Sequence, residues 1–276
     1  MKLSESEKLS YSTVRIECDY KDGSIGTGTG FFFQFLVDEA TSSHIPVVIT
    51  NKHVIKDSTR GRLIFTKATS KFEPIDTQHF KILINNFESL WRLHPVDAVD
   101  LCAMPLGPFI REAEIRNENI FYLTLNKSLI PTSKQLSDLS AVEDILMVGY
   151  PDGIWDYINN KPIFRKGITA THPRYDYCGK KEMMIDAACF PGSSGSPVFI
   201  FNENGFKDKD GKVHLGATRI LLLGILFAGP QHTAEGEIQI INVPIVQKPI
   251  AISNIPNNLG LVIKSERILE LEELFK

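Results

Sequence analysis

The 276-residue chain is 43% hydrophobic and carries 30 basic against 33 acidic side chains, a formal net charge of −3. That is long enough to bury a substantial core as one large domain or two closely packed smaller ones. The charges are mixed along the chain without a basic tract, which argues against a nucleic-acid partner. The longest apolar run, residues 220–228, is broken by Gly224 and falls short of the roughly 20 residues of a membrane-spanning helix, so no membrane partner is expected.

The chain opens Met1-Lys2-Leu3-Ser4-Glu5-Ser6-Glu7-Lys8, charged where a secretory signal needs an apolar core, and the expectation is a cytoplasmic protein. A helical turn is expected over residues 4–9. Val14, Ile16 and Cys18 then alternate with Arg15, Glu17 and Asp19, the period of a strand with one buried face. Similar runs follow at 30–37, 47–50, 100–104, 145–149, 196–201, 219–228, 238–243 and 261–263, separated by glycine, proline and Asx-rich joints. Polar stretches at 58–95, 110–141 and 202–214 read as long loops or loop-plus-strand insertions, the middle one the best place for a connection between two halves. Ile268, Leu271, Leu274 and Phe275 recur at helical spacing after Ser265, a candidate N-cap, so the chain should end in an amphipathic helix. Many short strands with little helical period predict an all-β sandwich or barrel assembly.

Cys18, Cys102, Cys178 and Cys189 show no paired spacing and are expected as reduced thiols, with no metal site or other cofactor. Gly26-Thr27-Gly28-Thr29-Gly30 is not followed by a helix pattern and reads as a turn into a strand rather than a phosphate cradle. Asp208-Lys209-Asp210-Gly211 reads as a hairpin tip rather than a calcium loop.

The segment Phe190-Pro191-Gly192-Ser193-Ser194-Gly195-Ser196-Pro197-Val198-Phe199 sets a serine in a tight glycine turn leading into an apolar strand. Acyl transfer by serine needs this setting, because the hydroxyl must be exposed while backbone N–H groups converge on the developing oxyanion. Gly192 and Ser194 are the candidate donors. By turn chemistry alone, an ordinary Gly/Ser/Pro turn between strands fits equally well.

With its neighbours, Asp186-Ala187-Ala188-Cys189-Phe190-Pro191-Gly192-Ser193-Ser194-Gly195 resembles the D-A-A-x-x-P-G-x-S-G serine block of the HtrA/Deg branch of trypsin-like proteases. Val48-Ile49-Thr50-Asn51-Lys52-His53-Val54 resembles its T-N-x-H-V block, and Asp100-Leu101-Cys102-Ala103-Met104 its aspartate block. Gly28-Thr29-Gly30-Phe31, Val148-Gly149-Tyr150-Pro151-Asp152-Gly153 and Lys166-Gly167-Ile168-Thr169-Ala170 extend the similarity over roughly residues 12–264. The resemblance implies a trypsin-like double barrel, two six-stranded antiparallel β-barrels with a C-terminal helix. Residues 1–115 would carry His53 and Asp100, residues 116–140 would connect, and residues 141–276 would carry Ser194. It implies a serine endopeptidase with His53 as general base, Asp100 orienting it and Ser194 as nucleophile. Asp97, three residues before Asp100, competes for the acidic role, but the apolar run after Asp100 favours the latter.

The chain departs from zymogen-type relatives at Ser193, which holds the place of the aspartate that pairs with a newly cut N-terminus. An activating protein partner or a homo-oligomer would then order the turn, unless the turn is ordered intrinsically. The chain ends about twelve residues past the last predicted strand, leaving no room for a PDZ domain. Ala188 stands six residues before Ser194, where trypsin has its acid, and Cys189 and Phe190 follow. With Phe227, Ala228 and Gly229 as another wall, the pocket is expected to take an uncharged, apolar P1 residue of a protein or peptide substrate. The rival reading is an inactive protease-fold module that binds or scaffolds.

Overall fold

The computed structural model describes residues 2–151, 154–229, 231–237, 250–256 and 258–276, with backbone alone for 231–237 and 250–256. The strand expected at 238–243 lies outside the described residues, as do Asp152 and Gly153.

Helix α1 (Glu5–Ser10) starts on a capping box, in which the Ser4 hydroxyl accepts from the Glu7 N–H and the Glu7 carboxylate accepts from the Ser4 N–H. Strands β1 (Thr13–Tyr20), β2 (Ile25–Asp38) and β3 (Ser43–Thr50) follow, then the one-turn helix α2 (Lys52–Ile55). Strands β4 (Ser58–Ala68), β5 (Pro74–Asn85), β6 (Arg92–Leu93) and β7 (Cys102–Pro105) complete a sheet in the order β5-β4-β1-β2-β3-β7-β6, with β8 (Ile120–Phe121) paired to β4. The polar stretch at 58–95 therefore holds long strands, and the expected connection at 116–140 contributes β8 to this sheet.

Of two short helices, α3 (Gly107–Ile115) directly precedes that connection and α4 (Ser133–Asp138) lies within it. The Thr132/Gln135 capping box that starts α4 is readable in the sequence as T-x-x-Q. Neither helix carries enough apolar period to stand out from a loop.

The second half closes a barrel in the order β10-β11-β18-β15-β12-β9. Its strands are β9 (Asp144–Gly149), β10 (Ile163–Thr169), β11 (Glu182–Asp186), β12 (Pro197–Asn202), β15 (Arg219–Ala228) and β18 (Leu259–Lys264). Outside it lie two hairpins, β13 (Gly205–Lys207) with β14 (Val213–Leu215), and β16 (Gln231–Glu237) with β17 (Ile250–Pro256). The first is closed at Asp208–Gly211, where Gly211 N–H donates to Asp208 O, as the Asp-Gly signal predicts. The architecture is the predicted double barrel, its first unit an eight-stranded sheet and its second a closed six-stranded barrel.

Strand β2 explains how the halves meet. Phe31, Phe32 and Phe33 are all buried, although a strand sends alternate side chains to opposite faces. Phe32 joins the core of the first half with Val14, Ile16, Val48, Leu63 and Phe65. Phe31, Phe33 and Phe35 point the other way, into a cluster with Val148, Phe199, Leu222, Ile225 and Ile263 of the barrel. A continuous apolar run is what a strand buried on both faces requires.

The C-terminal segment also enters that cluster. After β18 a 3₁₀ turn (Ser265–Arg267) runs into α5 (Ile268–Glu272), burying Ile268, Leu271 and Phe275. Ser265 is not the cap: the position before the turn is Lys264, no side chain caps it, and Ser265 is itself buried inside the turn. The end is held on the first half instead, where Glu272 accepts from Leu36 N–H at 2.6 Å and the Phe275 ring packs on Phe35.

One ion pair of the barrel is almost wholly desolvated. Arg219 Nη2 lies 2.5 Å from Glu143 Oε2, with side chains 13% and 8% exposed. Arg219 also donates to Asn202 Oδ1, and Glu143 accepts from Ser140 N–H. Removing one member strands the other charge in a low-dielectric site, so Arg219→Met should destabilise the fold by about 3–5 kcal/mol. Adding Glu143→Gln should recover part of that loss, and urea unfolding midpoints of the single and double variants check both.

Candidate active site

Strand β3 carries its apolar run to Thr50 and Asn51, both fully buried, and α2 then turns His53 out to solvent. Val54 on the inner side of that turn packs on Gly28, where a Cβ would lie 2.4 Å from its Cγ1. Asp100 sits in the turn just before β7, not in the strand. Its Oδ2 is 2.5 Å from His53 Nδ1 and its Oδ1 accepts from His53 N–H at 3.0 Å. The carboxylate thus grips both ring and backbone of the histidine, which puts the proton on Nδ1 and leaves Nε2 as the basic nitrogen. Asp97 takes no part in this contact: its carbonyl accepts from Lys52 Nζ at 3.4 Å.

The Asp100 turn is held from three sides. Asn51 Nδ2 donates to Asp100 O at 2.8 Å, and Lys52 Nζ donates to Val96 O at 3.3 Å. The buried ring of His94 accepts from Val96 N–H at Nδ1, 3.1 Å, while Nε2 faces Glu270 Oε2 of α5 at 3.2 Å, an electrostatic contact short of an aligned hydrogen bond. Burial holds the His94 pKa below its ordinary value, against the pull of Glu270.

The serine turn is built by Phe190-Pro191-Gly192-Ser193. Ser193 N–H donates to Phe190 O at 3.0 Å and Gly192 has φ +81°, the signature of a type II turn with Pro and Gly in its two central places. Gly195 follows at φ +87°, so close to β2 that a Cβ there would lie 1.9 Å from Thr29 O and 2.5 Å from Thr50 Oγ1. Only glycine fits. Ser194 is thereby seated against Thr29 and Thr50, three residues ahead of His53, and is half-buried. Its carbonyl accepts from Thr29 N–H at 2.9 Å. Among the described residues the N–H groups of Gly192 and Ser194 donate to nothing, and no hydrogen bond joins Ser194 Oγ to His53.

Of the predicted pocket residues, Cys189 is buried, Ala188 half-buried and Phe190 at the surface. The Cys189 sulfur would meet a Cβ at Gly260 at 2.6 Å, and its Cβ lies 3.7 Å from the corresponding point on Gly229. Burial pushes the Cys189 thiol up to about 11, with the nearby Arg165 opposing. Phe227 packs on the cluster between the halves, and Ala228 follows it at the end of β15. Sequence reasoning missed Arg165, which donates to Ala188 O and sets its guanidinium 4.8 Å from the centroid of the Phe190 ring. A lone arginine in a strand gives no signal of this role. It also missed Gly260 and the part of Thr29 in this site, although Thr29 stands in the quoted glycine-led block. No group of three or more His, Cys, Asp or Glu side chains among the described residues is placed to hold a metal ion.

A family model described as a trypsin-like peptidase domain matches residues 28–205. A search of curated protein sequences gives no match. Among solved structures, the active form of the Rv3671c protease from M. tuberculosis is similar at 16% identity and a TM-score of 0.46, covering 95% of this chain and 79% of its own. The HtrA-type protease AlgW with tripeptide is similar at 14% identity and TM-score 0.45, covering 96% of this chain and 60% of its own. Catalytically inactive tobacco etch virus protease complexed with substrate follows at 13% identity and TM-score 0.49, covering 99% and 86%.

All four cysteines are free thiols, with Cys18, Cys102 and Cys189 buried and Cys178 exposed. Burial raises the Cys18 thiol to about 12 and lifts Cys102 well above its ordinary value, and the thiolate is the form that reacts. Iodoacetamide at neutral pH should therefore modify Cys178 alone in the native protein and all four thiols after denaturation, without reductant. Intact mass spectrometry counts the adducts, and a denatured protein short of four would contradict the free-thiol state.

Proposed function

Because the chain belongs to the trypsin-like peptidase family, we propose that this protease is a serine endopeptidase acting through His53, Asp100 and Ser194. The observation that carries the reading is the pairing of two arrangements. Asp100 holds both Nδ1 and the backbone N–H of His53, and beside the serine the amides of Gly192 and Ser194 have no acceptor among the described residues.

His53 Nε2 takes the Ser194 hydroxyl proton as Oγ attacks the scissile carbonyl. The N–H groups of Gly192 and Ser194 stabilise the resulting oxyanion, and Asp100 stabilises the imidazolium. Collapse breaks the C–N bond, His53 protonates the leaving amine, and water activated by the same histidine hydrolyses the acyl-enzyme. No cofactor enters the sequence of steps. In this reading the unit of residues 1–115 supplies base and orienting acid, that of 141–276 supplies the nucleophile, and 116–140 joins them. In this proposal the enzyme is cytoplasmic, its substrate is a protein or peptide, and an activating partner or homo-oligomer is one route to control.

The P1 side chain is uncharged and apolar, because Ala188, Cys189 and Phe190 provide no carboxylate. An unpartnered cation buried there would cost several kcal/mol.

Purified Ser194→Ala should lose labelling by a fluorophosphonate probe while Ser193→Ala and Ser196→Ala keep it, and undiminished labelling of Ser194→Ala would remove serine 194 from the mechanism. Asp100→Asn should lower peptide turnover by roughly 10⁴, since the amide favours the wrong histidine tautomer, whereas Asp97→Asn should leave it unchanged. Cleavage of a peptide library should report aliphatic P1 residues, and a clear Lys or Arg preference would refute the pocket reading.

A further inference from the structure

Thr29 is fully buried in β2, and its N–H, carbonyl and hydroxyl are all hydrogen-bonded. Its N–H donates to Ser194 O at 2.9 Å. Its carbonyl accepts from Thr50 Oγ1 at 2.7 Å. Its hydroxyl oxygen accepts from Tyr150 N–H at 3.0 Å, so the single hydroxyl proton goes to Gly192 O at 3.1 Å. One residue therefore bonds the nucleophile turn, the strand that leads to His53 and the end of β9.

The two bonds into the serine turn hold the peptides on either side of the Ser193–Ser194 peptide. The Gly192–Ser193 peptide is held at both ends, its carbonyl by the Thr29 hydroxyl and its N–H by Phe190 O. The Ser194–Gly195 peptide is held likewise, its carbonyl by Thr29 N–H and its N–H by Leu226 O. Between them, the Ser193 carbonyl accepts from Ser196 N–H at 3.0 Å, and the Ser194 N–H has no acceptor among the described residues. Gly192 has φ +81°, and its N–H likewise has no acceptor among the described residues.

We propose that Thr29 is a positioning residue of the oxyanion hole: its hydroxyl, oriented by Tyr150 N–H, holds the Gly192 carbonyl so that the Gly192 and Ser194 amides stay aimed at one point. This rests on the reading of Ser194 as nucleophile. The hydroxyl touches neither substrate nor reacting atoms, and it acts through the turn. Valine is the informative replacement because it keeps the shape of threonine and removes the donor. Serine restores the donor.

The test is the pH-constant kinetics of fluorophosphonate labelling, resolved into the maximal rate kinact and the half-saturating concentration KI. Parent, Thr29→Val, Thr29→Ser and Ser194→Ala proteins are compared, each checked for fold by circular dichroism. Loss of the aim of one oxyanion donor is worth about 10²–10³ in rate when the donor is deleted outright, so Thr29→Val should lower kinact by at least about tenfold. KI should stay within about threefold, since uniform binding is unaffected, and Thr29→Ser should label close to the parent rate. A folded Thr29→Val protein with the parent kinact overturns the proposal. So does an equal loss in Thr29→Ser, which would trace the effect to packing of the methyl group. If Thr29→Val does not fold, Thr29→Ala removes the same donor without crowding and is read against the same two outcomes. Labelling of Ser194→Ala at the parent rate would instead overturn the nucleophile assignment, and the role of Thr29 with it.

Discussion

The contact between the serine turn and the backbone of β2 is the constraint on which the rest of the site depends. Gly195 lies so near Thr29 O and Thr50 Oγ1 that no side chain is possible there, and the hydrogen bonds of Thr29 close around the turn from the same side. A buried backbone group left unpaired costs about 1–3 kcal/mol, against a net gain near 1 kcal/mol for a bond formed. The turn is therefore held less by the sum of its bonds than by the cost of losing any one of them.

That contact can exist only because the two halves are pressed together by apolar burial further along the same face of that strand. Phe31, Phe33 and Phe35 of β2 meet Val148, Phe199, Leu222 and Ile225 of the barrel, and the C-terminal residues Ile268, Leu271 and Phe275 fill the same cluster. Burying a large apolar side chain contributes about 1.5–3 kcal/mol, so this shared cluster outweighs the few polar bonds it aligns. The non-directional term brings the surfaces together and the directional ones set the register.

Polar geometry around Asp100 follows the same division. Val54 packs inward on Gly28 and turns His53 outward, while Asn51, Lys52 and the buried His94 pin the aspartate turn by its carbonyls and N–H groups. The short contact of Asp100 with His53 is the product of these supports. Because His94 also faces Glu270, the C-terminal helix is packed directly behind the turn that carries Asp100.

By itself the sequence determined the strand-rich class, most of the strands, the order of the histidine, aspartate and serine blocks, and the glycine turn around Ser194. These are local properties: alternation marks a half-buried strand, and Pro-Gly in the central places marks a type II turn. The run at 30–37 was legible as a strand, but only the assembled halves decide that its two faces belong to two different cores. Choosing Asp100 over Asp97 by strand pattern pointed to the residue that meets His53, although it stands in a turn fixed by Asn51 and His94 rather than in the strand itself. Ser265 looks like a helix cap in one dimension and is buried within the turn in three, because the segment is docked on the first half by Leu36 and Phe35. Arg165, Gly260 and the hydroxyl of Thr29 join the site from positions far away in sequence. Hydrogen bonds and close approaches across that distance leave no periodic or spacing signal, so only tertiary structure could assign them.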